Sequence, residues 1–206
     1  IVPVPWEATV SYGGGTAKGP AAILEASMQV DLFHAEFPEL WKTGIYMKEI
    51  PGSLSKKSKA ARKKAEKIID ALSNGTSVDK DATLRKLLSD VNQASGEMIA
   101  EVKKTCSALL KEGKLVGMTG GDHSTPMGFF QALAEKYPSY GILQIDAHMD
   151  LRKAYEGFTW SHASIMYNAL QLKQVKKLVQ VGIRDYCKEE ADFVAANKKR
   201  VEVFTY

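Results

Sequence analysis

Three short runs in the second half of the chain concentrate side chains that could bind a metal ion or move a proton. GGDHS occupies positions 120–124, DAHMD positions 146–150 and WSHAS positions 160–164. Three of the four histidines in the chain lie between His123 and His162. The first two runs each follow a short apolar stretch that we expect to be a strand. Carboxylates and imidazoles at strand ends indicate a metal site.

The spacing of the candidate ligands in the DAHMD run predicts how they would be arranged. If the backbone stays extended beyond residue 145, alternation places Asp146, His148 and Asp150 on one side of the strand. His123 would add a fourth ligand from the neighbouring strand end. Oxygen and nitrogen ligands without a thiolate suit manganese, iron or zinc better than calcium or copper(I). A central carboxylate such as that of Asp146 could also bridge two ions and so hold a paired-metal site.

A purely structural interpretation is the alternative. Gly and Asp end strands for backbone reasons alone, so an isolated DxH or GGD is common in turns. Three ionisable groups on one face of an apolar strand would, however, repel and desolvate one another unless a cation compensates them. The combination therefore favours the metal interpretation.

The three motifs closely resemble those of the ureohydrolase family, which comprises arginase, agmatinase and formimidoylglutamase. The longer form DAHMDLRKAYEG at 146–157, followed by WSHAS, is most similar to agmatinase. SYGGGTAKGPAAILEAS at 11–27 resembles an early loop and helix of that family, and VQVGIRDYCKEE at 179–190 a later strand and loop. The resemblance is weakest between residues 37 and 114.

The resemblance implies a manganese-dependent hydrolase of guanidino C–N bonds that releases urea and an amine. It implies two manganese ions, with His123 and Asp150 binding one, His148 the other, and Asp146 bridging them. His162 matches the family's proton-shuttling histidine, for which an imidazole is suited near neutral pH; a helix-start histidine bonded to backbone is the competing interpretation. Glu156 is expected to help shape a pocket for a cationic substrate.

Several alternatives stay open at this point. Agmatine, giving putrescine, is the expected small guanidino substrate, but guanidino acids, guanidine, arginine and formiminoglutamate would use the same metal site. A non-catalytic relative that acts only as a binding partner is another possibility. Zinc-dependent amide deacetylases also place Asp and His ligands at strand ends, although GGDHS with DAHMD favours the binuclear family.

One family motif has no counterpart in the chain. The SxDxDxxDP run, which the resemblance implies should supply two further aspartates to the metals, does not occur in the sequence. We therefore expect residues 1–206 to be a single α/β metallohydrolase domain that is incomplete at both ends. A truncated, inactive relative is the alternative.

Composition narrows the class of protein. The 206 residues carry 28 basic and 24 acidic side chains, a mixture that does not indicate a nucleic-acid partner. No apolar run reaches the ~20 residues of a membrane helix. Two cysteines without CxxC spacing favour a reducing compartment, so we expect a cytoplasmic protein. The family resemblance implies a homo-oligomer, either a trimer or a hexamer.

Strand-like and helix-like patterns alternate along the chain. We predict strands at 1–6, 44–47, 115–118, 140–145, 177–183 and 201–206. We predict helices at 20–33, 55–72, from 79 or 81 to 113, and at 126–136, 161–172 and 187–199. This alternation predicts an α/β fold, with a doubly wound, mostly parallel sheet and helices on both faces, as in a three-layer arginase-like fold. We expect the last strand to lie beside 177–183 and to leave apolar surface bare.

Overall fold

A computed structural model describes all of residues 1–206, in which five strands and six α-helices follow one another. The strands are β1 (Val2–Val4), β2 (Met118–Gly120), β3 (Tyr140–Ile145), β4 (Val175–Ile183) and β5 (Val201–Thr205). The helices are α1 (Gly19–Ala26), α2 (Gly52–Ser73), α3 (Ala82–Lys111), α4 (Met127–Lys136), α5 (Ile165–Ala169) and α6 (Lys188–Ala196).

All the paired strands are parallel. β1 pairs with β2, and β3, β4 and β5 form a second sheet in that order. Parallel pairs need crossover connections, and here helices supply most of them. The predicted α/β class is thus confirmed, as is the position of β5 beside β4. The strands fall into two hydrogen-bonded sheets.

The long helix α3 is fixed at its start and along its length by identifiable contacts. The carboxylate of Asp81 accepts hydrogen bonds from the backbone N–H groups of Thr83 and Leu84, at 2.7 and 3.0 Å, and so caps the helix. Further along, α3 packs closely on α4, because a Cβ on Gly128 would lie 2.4 Å from the Ile99 carbonyl oxygen. This pair of helices forms one wall of the main hydrophobic core.

The opposite side of the three-stranded sheet is partly bare. Leu143 and Ile145 on β3 are 66% and 80% exposed, and Phe204 on β5 is 51% exposed. The register places Ile145, Val181 and Phe204 side by side across the three strands. An apolar surface therefore remains uncovered on this face of the sheet, and it extends to β3, whereas the sequence predicted bare surface only beside the last strand.

Some predicted element boundaries were wrong. Residues 44–47 form no strand, although Lys48 N–H donates to the Ile1 carbonyl at 3.0 Å, so this segment only touches the start of β1. The predicted strand 115–118 begins at Met118, since the register pairs Met118 with Val2, and Leu115 is fully exposed.

Three predicted helices are shorter than expected. The first ends at Ala26 and continues only as a 3₁₀ turn, because Val30 adopts an extended conformation. The helix predicted at 161–172 is a 3₁₀ turn followed by the short α5. The last helix ends at Ala196. None of the helices combines the length and the apolar character that crossing a membrane requires.

Candidate metal centre

The GGDHS motif is held tightly against the segment that follows β1. Gly121 N–H donates to the Val4 carbonyl at 3.2 Å and Asp122 N–H to the Trp6 carbonyl at 2.8 Å. A Cβ on Gly121 would lie 1.8 Å from the Trp6 carbonyl oxygen, a distance that no side chain can tolerate. Only glycine fits this close approach, which places His123 just beyond the end of β2.

Three of the predicted ligands come together at the carboxyl ends of the two sheets. His123 Nδ1 lies 2.6 Å from Asp150 Oδ2 and 3.1 Å from Asp146 Oδ2. One ligand atom from each of these three residues lies within 4.8 Å of the others. Such a nitrogen and oxygen set fits a divalent cation of the manganese, iron or zinc type.

The carboxylates of Asp146 and Asp150 favour the protonated form of the His123 ring. Burial by itself lowers the pKa of His123, but hydrogen bonds and charges from Asp146 and Asp150 outweigh it and raise that pKa to about 9. Burial alone would raise the pKa of Asp146, yet hydrogen bonds from His123, the backbone N–H of His148 and the Gln144 amide hold it well below its usual range. The ionised carboxylate of Asp146 therefore attracts positive charge, which a bound cation would supply in place of the protonated His123 ring.

His148 lies beside this group but is not part of it. Its Nδ1 is 3.5 Å from Asp146 Oδ1 and its Nε2 is 3.7 Å from Asp185 Oδ2, and the side chain is 59% exposed. The predicted continuation of extended backbone beyond Ile145 is wrong, because His148 N–H donates to Asp146 Oδ1 at 3.0 Å and turns the chain. The ligand role of His148 stays a prediction.

Asp150 reaches the group by a conformation that the alternation argument did not include. Its φ of 52° is in the left-handed region, which is uncommon for a residue other than glycine. Ala154 and Glu156 share this feature, with φ of 48° and 57°. Sparsely populated conformations of this kind cluster at functional sites. The loop after β3, rather than strand alternation, therefore directs the carboxylate of Asp150 to His123.

His162 faces the same cavity as the three clustered residues. This cavity has a volume of about 480 Å³, and most of the residues that line it belong to the three motifs. His162 Nδ1 lies 3.4 Å from Ser161 Oγ, and its ring packs edge-on against Tyr155 with centroids 6.3 Å apart. The structure thus places the imidazole of His162 in the lining of the same cavity as the candidate ligands.

Glu156 lines neither this cavity nor a second cavity that adjoins it. One of its carboxylate oxygens is buried without a hydrogen-bond partner, and burial raises its pKa despite the nearby charges of Arg152 and Arg62. Glu156 therefore interacts with Arg152, a lining residue of the second cavity, but forms no part of the surface of either cavity.

A second cavity of about 420 Å³ adjoins the first and shares His148, Asp150 and His162 with it. Sequence reasoning missed three charged residues in its lining, Arg152, Asp185 and Glu190. All three belong to the longer motifs, DAHMDLRKAYEG and VQVGIRDYCKEE, and their charge was the signal that could have identified them.

The glycine-rich loop near the start of the chain forms another wall of the second cavity, through Val10, Ser11 and Tyr12. Glu7 Oε2 holds this loop by accepting hydrogen bonds from Gly15 N–H at 2.6 Å and Ala17 N–H at 3.1 Å. The loop that resembles the early loop of the family therefore borders the second cavity.

Comparisons with known proteins agree with this architecture. The sequence profile of the arginase family matches residues 1–206. The chain is 29% identical over 211 residues to the N(1)-aminopropylagmatine ureohydrolase of Synechocystis sp., a match that covers 99% of this chain and 56% of that protein. It is 38% identical over 101 residues to the agmatinase of Bacillus anthracis, covering 49% of this chain and 34% of that protein.

Solved structures show the same fold. The agmatine ureohydrolase of Thermoplasma volcanium superposes with a TM-score of 0.66 at 22% identity, over 99% of this chain and 55% of that one. The formimidoylglutamase of Bacillus subtilis gives 0.64 at 18% identity, over 99% of this chain and 53% of that one. The predicted arginase-like fold is confirmed, and the chain spans little more than half the length of these relatives.

Proposed function

Because this chain belongs to the arginase family, we propose that the protein hydrolyses the guanidino C–N bond of a small cationic substrate and releases urea and an amine. The observation that carries the proposal is the group of His123, Asp146 and Asp150 at the floor of a polar cavity. In this proposal residues 1–206 act as a single α/β metallohydrolase domain.

Manganese is the proposed metal, as two ions. His123, Asp146, His148 and Asp150 are the residues of this chain that would hold them, with Asp146 shared between the two. The chemistry that bound manganese supplies is the activation of water at neutral pH. The nitrogen and oxygen donor set supports this assignment because it suits manganese and lacks the thiolate that softer metals prefer.

The charged residues around the two cavities provide binding and orientation for a cation. Asp150, Asp185 and Glu190 line the second cavity, whereas its one arginine, Arg152, lies 3.5 Å from Glu190 and 4.7 Å from the centre of the Tyr155 ring. The guanidinium of Arg152 is thus balanced by its neighbours. The remaining carboxylates favour a positively charged substrate, and Glu156 would help to shape the pocket through its charge interaction with Arg152.

His162 is the proposed proton carrier. Its Nδ1 faces the Ser161 hydroxyl at 3.4 Å, which leaves Nε2 to exchange a proton with the leaving amine. An imidazole can do so because it gains and loses a proton near neutral pH. The proton would therefore leave the ring as the C–N bond breaks, and the amine would depart neutral.

Agmatine, giving putrescine, is the proposed substrate, and N(1)-aminopropylagmatine is the second candidate. The second is favoured by one observation: the relative named for it matches 99% of this chain, whereas the agmatinase of Bacillus anthracis matches 49%. In our proposal the protein is a cytoplasmic homo-oligomer, a trimer or a hexamer.

The test is urea release by the full-length protein loaded with manganese. Agmatine, N(1)-aminopropylagmatine, arginine, guanidine and a guanidino acid would be compared at equal concentration by urea release, and formiminoglutamate by release of formamide, the product that its formimino group gives. We expect urea from a substrate with a cationic tail and none from guanidino acids. Manganese binding without turnover of any of these compounds would overturn the proposal in favour of a non-catalytic relative.

A further inference from the structure

Two buried glutamines lie directly beneath the candidate metal centre. Gln144 on β3 and Gln180 on β4 are register partners and are 4% and 0% exposed. Gln180 Nε2 lies 2.5 Å from Gln144 Oε1. Buried amides are costly unless they are hydrogen-bonded, and an apolar pair would pack between strands without that cost. The reason for two amide side chains at this depth must lie in the polar groups that they contact.

The direction of every hydrogen bond in this pair is fixed by its surroundings. Gln180 Nε2 lies 2.7 Å from the Met149 carbonyl, which can only accept, so the amide must present its NH₂ group there. The second hydrogen of that group points to Gln144 Oε1. The Gln144 NH₂ group then necessarily faces the other way, towards the loop after β3.

That NH₂ group reaches the metal centre itself. Gln144 Nε2 lies 3.2 Å from Asp146 Oδ2 and 3.1 Å from the His148 carbonyl. Asp146 Oδ2 is the same oxygen that lies 3.1 Å from His123 Nδ1. The pair thus donates hydrogen bonds to one candidate ligand and to the two backbone carbonyls of residues 148 and 149.

We propose that Gln144 and Gln180 are positioning residues that set the metal affinity of the site by holding Asp146 and the loop 146–149 in place. The inference rests on the proposed function in taking the centre to bind manganese. A donor on one carboxylate oxygen restricts the rotation of the side chain, so less conformational freedom is lost when a cation binds. Removal of such an outer-shell partner typically weakens metal binding by ~10–100-fold.

The experiment is manganese titration calorimetry on metal-free, full-length protein. Gln144→Met keeps the length of the side chain and removes its donors, so we expect the dissociation constant to rise by ~10–100-fold. Gln180→Met, which leaves the Gln144 amide without its anchor, should give a smaller rise in the same direction. Gln171→Met changes an exposed glutamine in the same way and should leave the constant unchanged.

The outcomes separate a positioning role from a structural one. A lower melting temperature with wild-type manganese affinity in Gln144→Met would overturn the inference, because the amides would then serve only the packing of the sheet. If Gln144→Met does not fold, the manganese affinity of Gln180→Met is the test, and a wild-type affinity would overturn the inference. Wild-type protein that binds manganese but releases no urea would overturn only the proposed function, since the affinity comparison needs no turnover.

Discussion

His123 Nδ1 and Asp150 Oδ2 lie 2.6 Å apart, although 27 positions separate the two residues in the chain. Each follows the carboxyl end of a strand in a different sheet, β2 for His123 and β3 for Asp150. Crevices at the carboxyl ends of parallel strands are where α/β folds place their sites. This contact, together with that between His123 and Asp146, joins the carboxyl ends of the two sheets into one centre.

Loss of the shared carboxylate should empty this centre. Asp146→Asn keeps the shape of the side chain but removes the charge that His123 and a metal would share, so we expect both manganese positions to be lost and urea release to be abolished. Elemental analysis of the purified variant is the measurement, and Asp192→Asn on the exposed face of α6 is the matched control. Two retained manganese ions would contradict the bridging assignment.

Replacement of His162 should separate catalysis from metal binding. His162→Phe removes the proton-exchanging ring without adding charge, so we expect manganese content near wild type and turnover reduced by roughly 10²–10⁴-fold. The measurements are metal analysis and kcat for the best substrate. His34→Phe, which changes a histidine packed on Phe37 away from the site, should leave both unchanged. Loss of metal in His162→Phe would make His162 a ligand instead.

Glu7 should stabilise the loop beside the second cavity in a pH-dependent way. Burial alone would raise its pKa, but hydrogen bonds from Ala17, Gly15 and Thr16 and the charge of Arg62 lower it below 4.5. A lowered pKa in the folded state gives stability that is present above pH 4.5 and disappears as the pH falls through the folded value.

Glu7→Gln tests this contribution. After allowance for solvent screening, we expect the free energy of unfolding to fall by about 1 kcal/mol at pH 7, since an amide oxygen accepts more weakly than a carboxylate. Urea denaturation at several pH values is the measurement. The difference between wild type and variant should shrink below pH 4.5, and a difference that stays constant down to pH 2.5 would contradict the assignment.

The glycine before Asp122 should not tolerate any side chain. In Gly121→Ala the new Cβ would lie 1.8 Å from the Trp6 carbonyl oxygen and 2.7 Å from its carbon, both backbone atoms that cannot move aside. We expect a loss of more than about 4 kcal/mol in the free energy of unfolding, or no folded protein at all. Gly14→Ala, where nothing lies within 4 Å, is the control. Equal stability of the two variants in thermal denaturation would show that the close approach is absent.

The sequence alone determined the class of fold and the chemical character of the site. Alternating strand and helix patterns predicted a parallel α/β architecture, because each pattern depends on local periodicity. GGDHS and DAHMD predicted a metal centre because ligand chemistry depends on residue types, which can be read directly from the sequence at the predicted strand ends. His123, Asp146 and Asp150 were therefore accessible from the sequence.

The tertiary structure determined how those residues are arranged around the site. His148 lies outside the group because the Asp146 carboxylate accepts the His148 N–H and bends the chain, whereas Asp150 enters it through a left-handed backbone. Gln144 and Gln180 are 36 positions apart in the chain, and their pairing depends on the register between β3 and β4. Local propensity cannot reveal such features, since the free energy that selects them comes from contacts between distant segments of the chain.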